Sequence, residues 1–380
     1  MYILIISRGY PTEKYKMNGI FEFDQAKALA AAGHKVVYAA VDVRSIRRWR
    51  KWGIEKKTIE GVKVYAINLP GGRIPKGILR KMSMLGLNIL YKVISKEQGK
   101  PNVMHAHFAG IGYITSKLKE KTDIPFVMTE HLSTMMKPEI DRRLFETAKQ
   151  AYGNADILIT VSPALKNVIK KRFNKNAIYI PNIVDTELFS VSPVKKDNIF
   201  RFVSVGGLKT IKRMHLTIEA FINAFKDNER VTLTIFGEGP ERASLENLIR
   251  KHNVSDKVRL MGLQSREDIS KYLKESDCFV LASQAETFGV AYIEALASGV
   301  PVIATKCGGP ESFVNDKNGI IIPVDDMDVL AEAMKYMYYT ANRYNRELIA
   351  EEARKQFSPS VIANRLTDIY KDLLSTGENI

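Results

Sequence analysis

The chain has 380 residues, enough for about two domains at roughly 150 residues each. Apolar residues make up 45% and charged residues 26%, the balance of a folded globular protein and not of a disordered or fibrous one. The formal net charge is +15, two cysteines exclude a disulfide framework and fit a reducing compartment, and no apolar run approaches the roughly 20 residues that span a bilayer.

Taken along the chain, strands alternate with helices. The opening MYILIISRGYP lacks a basic start and reads as a first strand, not a secretory signal. A loop with Gly19 follows, then a helical stretch at 21–33 and the strand KVVYAAV. Residues 42–100 hold 15 Lys or Arg against 4 Asp or Glu, a local net of +11. Such a patch attracts a membrane surface, a nucleic acid or a phosphorylated small molecule. Within it, RSIRRWRKWG (44–53) interleaves arginines with Trp49 and Trp52, which suits a lipid headgroup zone; a solvated basic face fits as well. The stretch GILRKMSMLGLNILYKVI (77–94) reads as a packed helix or as a surface that touches membrane. Zinc-ligand spacing and RNA-binding signatures are absent, so nucleic acid is not an expected partner.

Further strands are expected at VKVYAI, NVMHAHF, PFVMTE, DILITVS and AIYIPN. Near 185–198, Pro193, lysines and polar residues interrupt the apolar pattern. The pattern then restarts: FRFVSV, the loop GGLKTIKR, the helix LTIEAFINAF and the strand VTLTIFG, followed by KVRLMG, CFVLAS, PVIAT and GIIIPV. One strand–loop–helix–strand opening used twice predicts two doubly wound parallel-sheet domains in tandem. We assign 1–190 to an acceptor-side domain, 199–357 to a donor-binding domain, and 358–380 to a C-terminal helix, one placement for which is back toward the first domain. Ligands of such sheets bind beyond the carboxyl ends of the strands, which puts the expected site in a cleft that the two domains face.

ETFGVAYIE (286–294) lies at such a strand end. A helix is expected from about Phe288 or Gly289 to Gly299, with Glu286 in the loop before it and Glu294 about two turns further on. The free amides of Thr287, Phe288 and Gly289 then form an anion site that Gly289 lets a ligand approach. Carboxylates on either side accept hydrogen bonds from hydroxyls, which suits a nucleotide sugar. Each Glu alone also reads as an ordinary helix-start or surface residue.

ASQAETFGVAYIEALASGVPVIATKCGGPESFV resembles the signature segment of the retaining glycosyltransferases of family 4, with its Glu-x7-Glu followed by GVPVIAT and GGPESFV. YGNADILITVSPALKNVI, IYIPNIVDTELF, VSVGGLKTIKRMHLTIEAF, LTIFGEGPERASLENLI and VRLMGLQSREDISKYLKESDCFVLAS are similar to the family's other segments, in order, over nearly the whole chain. The resemblance implies the GT-B fold of two Rossmann-like domains. It gives Glu294 the donor ribose, Glu286 the donor sugar, and the amides near Phe288 and Gly289 the diphosphate or sugar. Lys212 matches the family's phosphate-neutralising Lys. Gly207 stands where the family usually has an Arg, leaving Lys209 or Arg213 to supply that charge. His131, in TEH, matches a His near the donor sugar, and Gly19 a glycine loop near the donor phosphates. The base would be read by backbone near Gly262 and Leu263.

His105 and His107 share a strand face, but no third metal ligand is evident; His107 is read as lining the cleft at most. The Asp-x-Asp in DDMD (325–328) precedes a helical pattern and is read as a cap. No metal or resident cofactor is therefore expected. The implied reaction is transfer of a sugar from a nucleotide diphosphate sugar to a hydroxyl, with retention, by front-face attack assisted by the leaving phosphate. The expected acceptor is a glycan or lipid-linked glycan of surface polysaccharide assembly, handled in the cytoplasm with a peripheral contact to an anionic membrane. A nucleotide-sugar epimerase of the same fold and a non-catalytic nucleotide-sugar binder are the alternatives.

Overall fold

The computed structural model describes residues 1–15, 18–45, 51–72, 74–192 and 197–377. Pro193 and Trp49, singled out above, lie outside them. Two compact units emerge: Met1–Ile183 together with the chain from Pro359 on, and Val184–Ser358.

The first unit contains β1 (Tyr2–Ser7), α1 (Ile20–Ala31), β2 (Lys35–Ser45), β3 (Gly53–Ile59), β4 (Val62–Gly71), α2 (Lys76–Gln98), β5 (Val103–His107), α3 (Ala109–Thr122), β6 (Phe126–Glu130), α4 (Arg142–Asn154), β7 (Ile157–Thr160), α5 (Pro163–Phe173) and β8 (Ile178–Tyr179). Its sheet runs β3-β4-β2-β1-β5-β6-β7-β8 among the described residues. The central strands are parallel and buried on both faces, which is why YILIIS, VMHAH and FVMTE read as continuous runs with little alternation.

The second unit contains β9 (Phe200–Val205), α6 (Met214–Phe225), β10 (Val231–Phe236), α7 (Arg242–Lys251), β11 (Val258–Leu260), α8 (Arg266–Lys274), β12 (Cys278–Leu281), α9 (Val290–Ala297), β13 (Val302–Thr305), β14 (Gly319–Ile322), α10 (Met327–Thr340) and α11 (Arg346–Phe357). The sheet order β11-β10-β9-β12-β13-β14 is fully parallel and reverses direction of growth between β9 and β12. In Rossmann-type sheets that reversal opens the crevice where ligands sit.

Two elements differ from the sequence expectation. GIEKKTI forms β3, antiparallel to β4, where no strand is expected. Its two-residue turn uses Glu60 and Gly61, both at positive φ, the backbone of a tight hairpin. Charged residues along β3 keep this edge from pairing with other chains. AIYIPN, read as a full strand, supplies only the two residues of β8.

The final helix, α12 (Pro359–Gly377), belongs to the first unit. Ile362, Ala363, Leu366 and Tyr370 enter the core with Ile3, Ile5, Leu29 and Ile159. The Thr367 hydroxyl lies 2.7 Å from His34 Nε2, and Arg365 donates to the Tyr179 carbonyl at 2.7 Å. Among the described residues, no helix is long and apolar enough to cross a membrane.

Candidate functional site

In the second unit, the loops leaving β9, β10, β12 and β13 pack backbone on backbone. A Cβ at Gly237 would lie 1.9 Å from the Gly206 carbonyl oxygen, and one at Gly239 2.2 Å from that of Leu208. One at Gly309 would lie 2.2 Å from the Phe288 carbonyl oxygen. Leu208 donates to the Glu238 carbonyl at 3.0 Å and Gly237 to that of Gly262 at 2.9 Å. Only glycine permits such approaches, so these loops are fixed relative to one another.

The two loops at the sheet reversal carry the residues singled out above. After β9, Lys212 ends a short 3₁₀ turn at Thr210–Lys212, and its ammonium pairs with Glu286 Oε1. After β12, Glu286 is 8% exposed; the Ser283 hydroxyl donates to the same Oε1 at 2.8 Å. The Glu286 amide donates to the Cys307 carbonyl at 3.1 Å, which fixes its backbone. Gly289, at φ 98°, caps α9 without a side chain. Among the described residues, none accepts a hydrogen bond from the amides of Thr287, Phe288 or Gly289. They remain available at a positively polarised helix start. Phe288 itself is anchored in the core against Phe313 and Phe357.

Glu294 lies on α9, and Arg266 approaches its Oε1 at 3.3 Å. Arg266 was not singled out from the sequence. Its one legible signal is its place: first in α8, after the Ser265 cap, just beyond the end of β11. In the same connection Gly262 turns at φ 71° and Leu263 is 72% exposed.

The structure separates the two cations offered as replacements for the missing Arg. Arg213 Nε donates to Asp325 Oδ1 at 2.6 Å, so its charge is already engaged. The stem of Lys209 runs beside Gly207: a Cβ there would meet Lys209 Cε at 3.8 Å. In DDMD, Asp326 accepts from the Val329 amide at 3.0 Å and so caps α10.

In the first unit, His131 follows β6. Its Nε2 lies 2.9 Å from His107 Nδ1, and its ring contacts Phe108 at 5.0 Å between centroids. His107 stacks in turn on His105 at 4.6 Å. Tyr370 OH and Gln25 Nε2 lie 2.6 Å and 3.0 Å from His105 Nδ1. Both are donors, so Nδ1 accepts, and Nε2–H donates to Thr129 Oγ1 at 2.7 Å. Burial holds His105 and His131 down to about 3. His107 is lowered as well, first by burial. The three rings are therefore neutral at ordinary pH. They stack and do not converge, and no group able to hold a metal occurs among the described residues.

Glu130, also not singled out, is fully buried. Its carboxylate accepts from the amides of Ala109, His131 and Leu132 and from Tyr152 OH. It thereby ties the start of α3 to the His131 loop. Gly19, at φ 70°, is packed against Gly9: a Cβ would lie 2.3 Å from the Gly9 carbonyl oxygen.

Comparison with known proteins agrees with this architecture. Residues 23–188 match the family model "Glycosyltransferase Family 4", and residues 185–356 match "Glycosyl transferases group 1". The chain is 27% identical to TuaC of Bacillus subtilis (strain 168), a protein named for teichuronic acid biosynthesis, over 99% of this chain and 100% of TuaC. Sucrose-phosphate synthase from Thermosynechococcus elongatus shares the fold at TM-score 0.80 and 22% identity, covering 99% of this chain and 100% of that one. Anabaena Alr3699/HepE, solved with UDP, does so at TM-score 0.74 and 16% identity, over 98% and 100%. With the two models together spanning residues 23–356, this chain belongs to the group 1, family 4 glycosyltransferases and has their GT-B fold.

Proposed function

We propose that this glycosyltransferase moves a sugar from a nucleoside diphosphate sugar to a hydroxyl acceptor with retention at the anomeric carbon, and needs no metal. The observation that carries this is the pairing of Lys212 with Glu286 beside the open amides before α9. A cation, a helix start and a buried carboxylate at one sheet reversal suit a diphosphate flanked by sugar hydroxyls. Lys212, with Lys209 in place of the missing Arg, would neutralise the charge that grows on the leaving diphosphate. Glu286 would hold sugar hydroxyls and Glu294 the ribose. Gly262 and Leu263 would meet the base. His131, neutral and half-buried, would face the sugar as a hydrogen-bonding group and not as a cation.

The proposed acceptor is a glycan or lipid-linked glycan of surface polysaccharide synthesis, taken up by the first unit. The naming of TuaC for teichuronic acid biosynthesis supports that choice. A peripheral membrane contact at the cytoplasmic face would use α2, where Ile78, Leu85 and Ile89 share one face and stay 51%, 62% and 41% exposed.

The test is to incubate the purified chain with UDP-, GDP- and ADP-sugars and acceptor glycans. Released nucleoside diphosphate and the anomeric proton of the product are followed by NMR. A product of unchanged anomeric configuration is expected. An inverted product, or a donor converted to its epimer without release, overturns the proposal.

A further inference from the structure

A cavity of about 1010 Å³ lies wholly within the first unit. Arg80, Arg142 and Arg143 line it. Arg80 lies 4.6 Å over the Tyr113 ring and donates to Thr147 Oγ1 at 3.4 Å, which holds its guanidinium at the wall. Arg80, Arg142 and Arg143 are all exposed. Two acidic residues also line the cavity, Asp141 and Glu146. Asp141 Oδ1 accepts from the amides of Arg143 and Leu144, at 2.8 Å and 3.2 Å.

The cavity is bordered by the starts of α2 at Pro75 and Gly77, of α3 at Gly110 and of α4 at Asp141 and Arg142. The Asp141 carboxylate caps α4 and the Glu130 carboxylate accepts from the Ala109 amide at the start of α3, so the preference for an anion comes from the arginines. Three guanidiniums lining one cavity favour an anion with several oxygens. The cavity also belongs to the His131 neighbourhood along the chain. Thr134, on its wall, follows His131 by three residues, and Gly110 follows Phe108, whose ring touches His131.

We propose that this cavity binds a phosphoryl group of the acceptor, with Arg80, Arg142 and Arg143 as its ligands. This rests on the reading that the first unit takes the acceptor. The phosphoryl group could be borne by a soluble sugar or by a lipid. A smaller pocket that shares Pro75, Gly77 and Arg80, and adds Ile78, Lys81 and Met84, offers apolar surface to the second kind.

The experiment is calorimetric titration of the full chain with inorganic diphosphate. Wild type is compared with Arg80→Gln/Arg142→Gln/Arg143→Gln and with Lys209→Gln/Lys212→Gln. Wild type should take up diphosphate at two sites, one weakened at least tenfold in each variant. If the arginine variant binds as wild type does, the proposal falls. If only the lysine variant binds as wild type does, the donor reading fails and this one stands. Arg142→Gln/Arg143→Gln, at two exposed positions, serves should the triple variant melt early. Flotation with phosphatidylcholine vesicles, with and without phosphatidic acid, separates the sources. Arginine-dependent flotation with phosphatidic acid assigns a lipid phosphate. Diphosphate binding without flotation assigns a soluble one.

Discussion

Lys212 and the Ser283 hydroxyl meet on the same oxygen of Glu286. The carboxylate is thus held by two donors from opposite loops of the sheet reversal. Lys212→Ala should leave it buried with one partner and cost about 1–3 kcal/mol of stability. It should also lower transfer about 10²–10³-fold, the usual loss when a charge-stabilising group is removed. Steady-state kinetics and a melting curve on one preparation check both.

Glu294 and Arg266 form a separable pair on the neighbouring helices α9 and α8. A nucleoside diphosphate at 100 times its Kd should stabilise the wild type by about 2.7 kcal/mol. Glu294→Ala should lose most of that increment at the same concentration. Thermal shift against UDP, GDP, ADP and CMP reads it and names the base.

Gly207 and Gly309 make opposite predictions. Nothing lies closer than 3.8 Å to a Cβ at Gly207, so Gly207→Arg should fold normally. It should bind a nucleoside diphosphate several-fold more tightly by restoring the absent guanidinium. A Cβ at Gly309 would strike the Phe288 carbonyl at 2.2 Å, so Gly309→Ala should cost about 1–3 kcal/mol. Melting curves and nucleotide titration of the two variants provide the contrast.

The stacked histidines make stability depend on pH. His105 and His131 are lowered to about 3, against roughly 6.5 in an unfolded chain. Their contribution is therefore complete above pH 6.5 and is lost as pH falls toward 3. Glu130, raised by burial, acts with the opposite sign and offsets part of the loss. Urea melts at pH 7 and pH 5 should show lower stability at pH 5. His131→Asn should reduce the difference.

The sequence showed the second unit's plan because its strands are buried on both faces and its turns need glycine. Both constraints act locally. Glu286, Lys212 and Glu294 were visible by spacing and family likeness. Arg266 and Glu130 were not, since each works through a partner brought close by folding: Glu294 for one, the α3 start for the other. The strand β3 escaped because an exposed edge carries lysines and a glutamate where a core strand carries apolar residues. His131 was visible, but its neutrality was not; that follows from burial beside two other imidazoles.

The return of α12 gives the first unit a non-contiguous recipe: its core is written in two stretches, one up to residue 183 and one from residue 359 on. A ribosome adding about 5–20 residues per second needs roughly ten to thirty seconds to pass from residue 183 to residue 359. Throughout that interval the Leu29 and Ile159 side of the nascent first sheet lacks Ile362, Leu366 and Tyr370. The second unit is contiguous and can finish first, so the order of maturation is reversed relative to the order of synthesis.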